Sequence, residues 1–420
     1  MKVLVIGGGG REHAIVWKLA QSRHVDKIYC APGNAGIAET AECIDISIGD
    51  FDELINLVRY EWIDLTIVGP EAPISMGIAD AFERGGRKIL APSKAAARLE
   101  ASKVFSKEFM KRHRIPTAEY KVFTSYLHAE DYVRMKDSPI VIKADGLASG
   151  KGVIVAATTD EAVIALKRIM KEKEFGDAGN RVIVEECLQG EEASFMVFTD
   201  GTTIVPMVSS QDHKQVFDCD KGPNTGGMGA YSPAPVITEE MESLVMEKIM
   251  WPTIRGLREE GTKYKGVLYA GLMIKDGNPS VLEFNCRLGD PETQPVFARL
   301  DTDLVDIALA IPDERLSDIK VGWKKDAAVC VVLASGGYPG PYEKGKVITG
   351  LEKANGVDDV LVFHAGTEFN DSGIVTSGGR VLGVTATGKN IKAAKEQAYK
   401  RLGRYSLKAC TTEKILRTAR

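Results

Sequence analysis

Over the first hundred residues short β-branched runs alternate with segments of helical period. KVLVIG, KIYCAP, DLTIVGP and KILAPS are separated by stretches such as REHAIVWKLAQS and DELINLVRYEW. Apolar runs bounded by Gly and Pro read as buried strands, and apolar positions recurring every three or four residues read as amphipathic helices. The alternation predicts a doubly wound parallel sheet. After Pro116 the pattern changes to strands around a glycine-rich turn, IVIKADGLASGKGVIVA, a helix near 160–173 and a strand, RVIVEECLQG. That outlines a small α+β insert of roughly 70 residues. From 193 to 320 long strands are interrupted by QDHKQVFDCDKGPNTGGMGAYSPAP, followed by a helix near 238–260 and two strands ending in EFNCRLGDPETQ. The interruption reads as a long structureless polar stretch, the kind that is a functional loop or disordered. Past Trp323, AAVCVVLAS, KVITGLE, VLVFHAG and RVLGVTATG predict a small sheet-rich domain that ends in a helix from about Asn390 to Arg404.

Length and charge narrow the function. The 420 residues correspond to about three domains, and 44% hydrophobic with 27% charged residues excludes disorder and low-complexity scaffolds. A net charge of −4 gives no global field for nucleic acid or an anionic membrane, so any bound anion must be held locally. The seven cysteines form no C-x-x-C pair and no zinc-spaced cluster, which points to a reducing compartment. The apolar run VLVI at the N-terminus is too short for a signal-peptide core, and no stretch has the length of a membrane span. A cytoplasmic protein is expected.

Four stretches carry candidate chemistry. Gly7-Gly8-Gly9-Gly10 between a strand and a helix would aim backbone N–H groups at an anion. A dinucleotide fingerprint needs a third glycine where Glu12 stands and an acidic residue where Cys30-Ala31-Pro32 stands, so an NAD-dependent oxidoreductase is a poor reading and a phosphate-bearing small molecule a better one. Gly146-Leu147-Ala148-Ser149-Gly150-Lys151-Gly152 imitates a phosphate loop, but its spacing is wrong and Gly152 stands where a metal-binding hydroxyl should be. It reads as a lid in which Ser149 and backbone N–H groups donate to phosphates. Lys143, in the otherwise apolar PIVIKADG, either meets an anion or snorkels from a sheet edge. In Val281-Leu282-Glu283-Phe284-Asn285-Cys286-Arg287, residues two apart share a face, so Glu283, Asn285 and Arg287 point one way while Leu282 and Phe284 pack the other. Two hard oxygen ligands beside a cation suit magnesium on nucleotide phosphates; the alternative is a structural Glu283–Arg287 ion pair.

Together these stretches resemble the ATP-grasp superfamily and, within it, the phosphoribosylamine–glycine ligases. GGGGREHA, PGNAG, GPEAP, KADGLASGKGV, EECLQGEEASF, QDHK, GPNTGGMGAYSPAP and LEFNCRLGDPETQ match in order over essentially the whole chain. The resemblance implies an N-terminal α/β domain (1–102), an ATP-grasp core (103–122 and 193–325), a lid (123–192) and a C-terminal domain (326–420). It also implies ATP contacts at Lys103, Lys143, Ser149, Gly150, Glu185, Glu186, Leu188 and Glu192, of which Glu185 would face the adenine amino group and Glu192 the ribose. Mg2+ or Mn2+ would be held by Glu283 and Asn285. Arg287, with Lys143, would serve catalysis, and Gly9, Arg11, Asp212, His213, Lys214, Gly226, Gly227, Met228 and Arg287 would contact the other substrates. The implied substrates are ATP, glycine and 5-phosphoribosylamine, with no nucleic acid or membrane partner, a monomeric chain and no protein nucleophile. Another ATP-grasp ligase or carboxylase and a nucleotide-binding protein without turnover are the alternatives. Two positions depart from the pattern: no metal carboxylate lies in Leu268–Leu272, and Gln215 stands where the family often has Arg.

Overall fold

The computed structural model describes residues 1–147, 152–217, 221–351, 360–402 and 410–411. Five parallel strands form the first sheet, in the spatial order Glu42–Cys43, Lys27–Pro32, Lys2–Gly7, Leu65–Val68 and Ile89–Leu90. Lys2–Gly7 can occupy the middle because it is apolar on both faces. Val3 and Val5 join the core that holds Ile15, Val16 and Leu19 of the helix Gly10–Leu19, whereas Leu4 and Ile6 join the one that holds Leu54, Val58 and Phe82. The chain leaves this strand toward one neighbour and later returns on its other side, which opens a crevice above its carboxyl end.

The second sheet is antiparallel, in the order Ile204–Pro206, Glu191–Thr199, Gly266–Lys275 and Asn278–Asn285. The expected insert is a third sheet, Tyr120–Phe123, Val182–Glu186, Ile140–Ala144 and Val153–Ala156, with a core of its own that includes Phe123, Val133, Ile142 and Leu166.

The last sheet departs from the sequence expectation. Its strands Ala327–Ser335, Arg380–Gly388 and Val360–His364 are joined by Gly229–Ser232 and Gln211–Asp212, so the sheet crosses the boundary expected at 325/326. The polar stretch around them is not structureless either, since Gln215–Phe217 pairs with Lys221–Asn224. Two of its apolar residues, Val216 and Met228, are buried together against Ala334. KVITGLE forms no full strand among the described residues; Val347 makes an isolated bridge to Val375. Among the described residues no helix is long and apolar enough to cross a membrane.

The C-terminal sheet docks on the first helix through Phe363, whose ring meets the edges of His13 and Trp17 at 5.6 and 5.7 Å. The His364 N–H donates to His13 Nδ1 at 2.8 Å. Burial, helped by the His364 ring, lowers His13 to about 3, and burial lowers His364 to about 4. Both are neutral when folded, whereas in the unfolded chain they take up a proton near pH 6.5. Stability is therefore complete above that pH and declines as pH falls toward about 4, by about 1.4 kcal/mol per unit for each histidine. Denaturant unfolding at pH 7, 6 and 5 should show this decline, and His364→Asn should reduce its slope. Equal slopes in the two proteins would refute the assignment.

Candidate active site

The helix Gly10–Leu19 begins directly after the glycines, and its first N–H groups need acceptors. The chain supplies one itself. Glu12 Oε2 accepts from the Gly9 N–H at 2.5 Å, and Oε1 from Arg11 Nε at 2.6 Å. A Cβ on Gly7 would stand 2.6 Å from Glu12 Cγ, and one on Gly69 would overlap the same carboxylate, so both positions need glycine. The Glu12 carboxylate, held at the Gly9 N–H, puts negative charge where a dinucleotide pyrophosphate would have to approach, which weighs against the oxidoreductase reading. Gly9 and Arg11 still border the crevice, and Arg11 also donates to Leu288 O at 3.1 Å.

The crevice widens into a cavity of about 750 Å3 walled by the four larger sheets and their loops. Lys103 opens the helix Lys103–Arg112. Asp145 Oδ1 ties that helix start to the end of the strand Ile140–Ala144 by accepting from Ser102 Oγ (2.9 Å) and the Val104 N–H (3.1 Å), and Lys103 Nζ reaches Gly146 O at 3.4 Å. Lys143 lies on that strand opposite Ile183, which makes Glu185 its diagonal neighbour on the same face. Its ammonium is 2.9 Å from Glu185 Oε2 and donates to Leu282 O at 3.0 Å. Lys107, absent from the sequence reading, approaches the same Oε2 at 3.2 Å. It stands one turn after Lys103, a spacing that puts both on one helix face and was visible in the sequence. Burial, opposed by Glu185, lowers Lys107 to about 8. Glu185 Oε1 is buried with no hydrogen-bond partner among the described residues.

The strand Asn278–Asn285 does not alternate as expected. Gly271 pairs with Glu283 and Leu272 with Val281, so Leu282 is an extra residue in the ladder. This bulge places Val281 and Phe284, three apart, in the same core and leaves Leu282 bordering the cavity with Glu283 and Asn285. Burial pushes Glu283 up, but Lys103, Lys214, Lys143 and Arg287 hold its carboxyl below the usual range. Among the described residues no hydrogen bond or ion pair engages it. Asn285 Oδ1 accepts from Arg287 at 3.2 Å. Arg287 pairs with Glu71 (3.4 Å) and Glu100 (3.2 Å) rather than with Glu283.

On the facing side Asp212 and Lys214 border the cavity. Lys214 lies 3.5 Å from Asp212 and 3.1 Å from Glu192, which itself stands outside the wall. Burial, with Lys214 opposing and the surrounding carboxylates adding, raises Asp212 to about 7. Gly226 borders the cavity, whereas Met228 is buried behind it against Val216 and Ala334. His213 holds this loop through its backbone, accepting from the Met228 N–H and donating to Gly229 O. Glu186 is bonded to Glu119, and neither it nor Leu188 borders the cavity. Ser149 and Gly150 lie outside the described residues.

Family models of phosphoribosylglycinamide synthetase match the chain in three consecutive parts: the N domain over residues 1–100, the ATP-grasp (A) domain over 101–293 and the C domain over 328–414. The chain belongs to the phosphoribosylglycinamide synthetase family. It is an ATP-dependent ligase with an ATP-grasp fold. The phosphoribosylamine–glycine ligase of Vibrio parahaemolyticus is 53% identical over 402 residues, covering 95% of this chain and 94% of the relative, and that of Escherichia coli K12 is 54% identical over 406 residues with the same coverage. The crystal structure of the Thermotoga maritima phosphoribosylamine–glycine ligase superposes with a TM-score of 0.85 at 32% identity, over 99% of both chains. The biotin carboxylase domain of Hydrogenobacter thermophilus 2-oxoglutarate carboxylase, in complex with MgADP, shares the fold with a TM-score of 0.74 at 15% identity, over 98% of this chain and 91% of that one.

In this synthetase the C-terminal sheet reaches the cavity, which the sequence reading did not foresee. Arg380 donates to Gly226 O at 2.5 Å and Asp290 O at 2.6 Å and lies 3.3 Å from the Asp290 carboxylate. Tyr338 Oη accepts from the Gly226 N–H at 3.0 Å. No local pattern marks either residue, since their partners lie 112 and 154 positions away.

Proposed function

We propose that the chain ligates glycine to 5-phosphoribosylamine, giving glycinamide ribonucleotide, ADP and phosphate, with glycyl phosphate as the intermediate. One observation carries this reading: a single cavity joins lysines 103, 107 and 143 and the Glu283–Asn285 pair to the glycine-rich loops of the N-terminal sheet. Lys103 and Lys143 bind the phosphates of ATP. Glu185 Oε1, an acceptor without a partner, takes the adenine amino group, which is a donor. Glu283 is ionised and unengaged, and Asn285 offers a second hard oxygen, so the donor set fits Mg2+ or Mn2+. Such an ion, when bound, offsets charge on the β- and γ-phosphates.

A carboxylate is a poor acylating agent, so the glycine carboxylate attacks the γ-phosphoryl group and the amine of phosphoribosylamine then displaces phosphate from the acyl carbon. Arg287, fixed by Glu71 and Glu100, orients the glycine carboxylate, while Arg11, Asp212, Lys214 and Gly226 line the acceptor side. The lid, residues 123–192, excludes water that would hydrolyse the intermediate. The reading includes the domain division at 102 and 325, a monomeric chain and a cytoplasmic location.

ADP release by the purified protein, with glycine and freshly generated phosphoribosylamine supplied separately and together, tests this. ADP formation that requires both supports the ligase; turnover with neither, or only with another acid and amine, removes the substrate assignment. Arg380→Ala frees the Gly226 carbonyl and removes the cation nearest Asp290, so the KM for phosphoribosylamine should rise roughly tenfold or more. The KM for ATP should stay near its original value, because the lysines are untouched. Equal rises in both constants would assign Arg380 a purely structural role.

A further inference from the structure

One carboxylate oxygen, Glu185 Oε2, is shared by two ammonium groups, Lys143 Nζ at 2.9 Å and Lys107 Nζ at 3.2 Å. The three side chains are at most 7% exposed, so a net positive charge is held where an uncompensated charge is costly. The two lysines are anchored differently. Lys107 Nζ donates to Thr117 Oγ1 at 2.7 Å, and that hydroxyl donates to Val281 O at 2.6 Å, which fixes Lys107 to the strand beneath the cavity floor. The other bond of Lys143 runs to Leu282 O, the carbonyl of the bulge residue next to Glu283, so it already lies beside the unengaged carboxylate.

We infer that Lys107 is a positioning residue: it keeps Glu185 paired while Lys143 turns from that carboxylate to the triphosphate. Without Lys107, Glu185 and Lys143 form a one-to-one ion pair. An incoming triphosphate then has to break it and leave a buried carboxylate unpaired. With Lys107 present, Lys143 leaves and the carboxylate keeps a cation. The inference rests on the proposed role of Lys143 at the phosphates.

The test compares the affinities of ATP and adenosine, measured by calorimetry on the full chain, for the original protein, Lys107→Gln, Glu185→Gln and the double variant. Glutamine keeps a donor for Thr117. Lys107→Gln should weaken ATP roughly tenfold or more while changing adenosine by less than about twofold. Adding Glu185→Gln should restore most of the ratio of ATP to adenosine affinity, because no carboxylate remains to hold Lys143. An unchanged ATP affinity in Lys107→Gln, an equal loss for both ligands, or a fall in the ratio of ATP to adenosine affinity that persists in the double variant overturns the inference. If Lys107→Gln does not fold, lysine ammonium NMR of the original protein decides. ATP should shift the Lys143 signal and leave that of Lys107, and the reverse overturns the inference. Failure of the underlying reading is distinguishable: Lys143→Ala would then leave ATP affinity intact, whereas a requirement for Lys143 with Lys107→Gln silent removes only the role of Lys107.

Discussion

Glu283→Ala is expected to abolish ligation, with a loss of about 10³-fold or more in kcat, and to do so without weakening the binding of metal-free nucleotide. The two effects separate because of what surrounds Glu283. Its carboxylate lies among Lys103, Lys143, Lys214 and Arg287, which hold it ionised despite burial. Deleting it removes a negative charge from a cavity that receives an anion, so the Coulomb energy of an added triphosphate improves. What is lost is the carboxylate ligand that the fold offers a divalent ion beside the phosphates. Nucleotide affinity measured with and without Mg2+ should therefore lose its metal dependence in Glu283→Ala. A variant that keeps that dependence, or that ligates at an unaltered rate, would overturn the metal assignment.

Lys143→Ala should lower kcat by about 10²–10³-fold, the usual effect of removing one preorganised donor from a developing charge. It should also weaken ATP. The protein should still fold, for a reason specific to this site. Removing one member of a buried ion pair commonly costs about 3–5 kcal/mol because the other is left uncompensated. Here Lys107 remains 3.2 Å from Glu185, so the cost should be nearer 1–2 kcal/mol, largely the bond to Leu282 O. Thermal unfolding and ADP release on the same preparation check both statements, and a protein that unfolds at room temperature would contradict the first.

The residues that were legible in the sequence are those whose partners lie close in the chain or obey a simple period. The parallel sheet followed from apolar runs alternating with helical period, and Glu283 with Asn285 followed from the two-residue repeat of a strand. Leu282 did not, because a bulge adds one residue to one side of a ladder and leaves no mark in the strand that carries it. The glycine-rich turn reads in the sequence as a seat for a phosphate-bearing ligand, and in the structure a carboxylate of the chain itself lies there. That Glu12 supplies it was hidden because the residue before the helix is Gly9, not the Ser or Thr that announces such a reciprocal cap. Lys107 was within reach, one turn beyond Lys103. Arg380 and Tyr338 were not, since they meet the Gly226 loop only through the pairing of a distant sheet.

That sheet also constrains how the chain can be made. Gln211–Asp212 and Gly229–Ser232 pair with one another, but the next partner of Gly229–Ser232 is Ala327–Ser335, about a hundred residues later. While the polypeptide is being synthesised, this ribbon waits with an open edge of unpaired backbone groups, the kind of edge that recruits strands from other chains. The acceptor wall therefore cannot mature until the final quarter of the protein has begun to emerge. A fragment that stops near residue 325 should be aggregation-prone rather than a working ATP-binding half, and only co-expression with the missing segment should rescue its solubility.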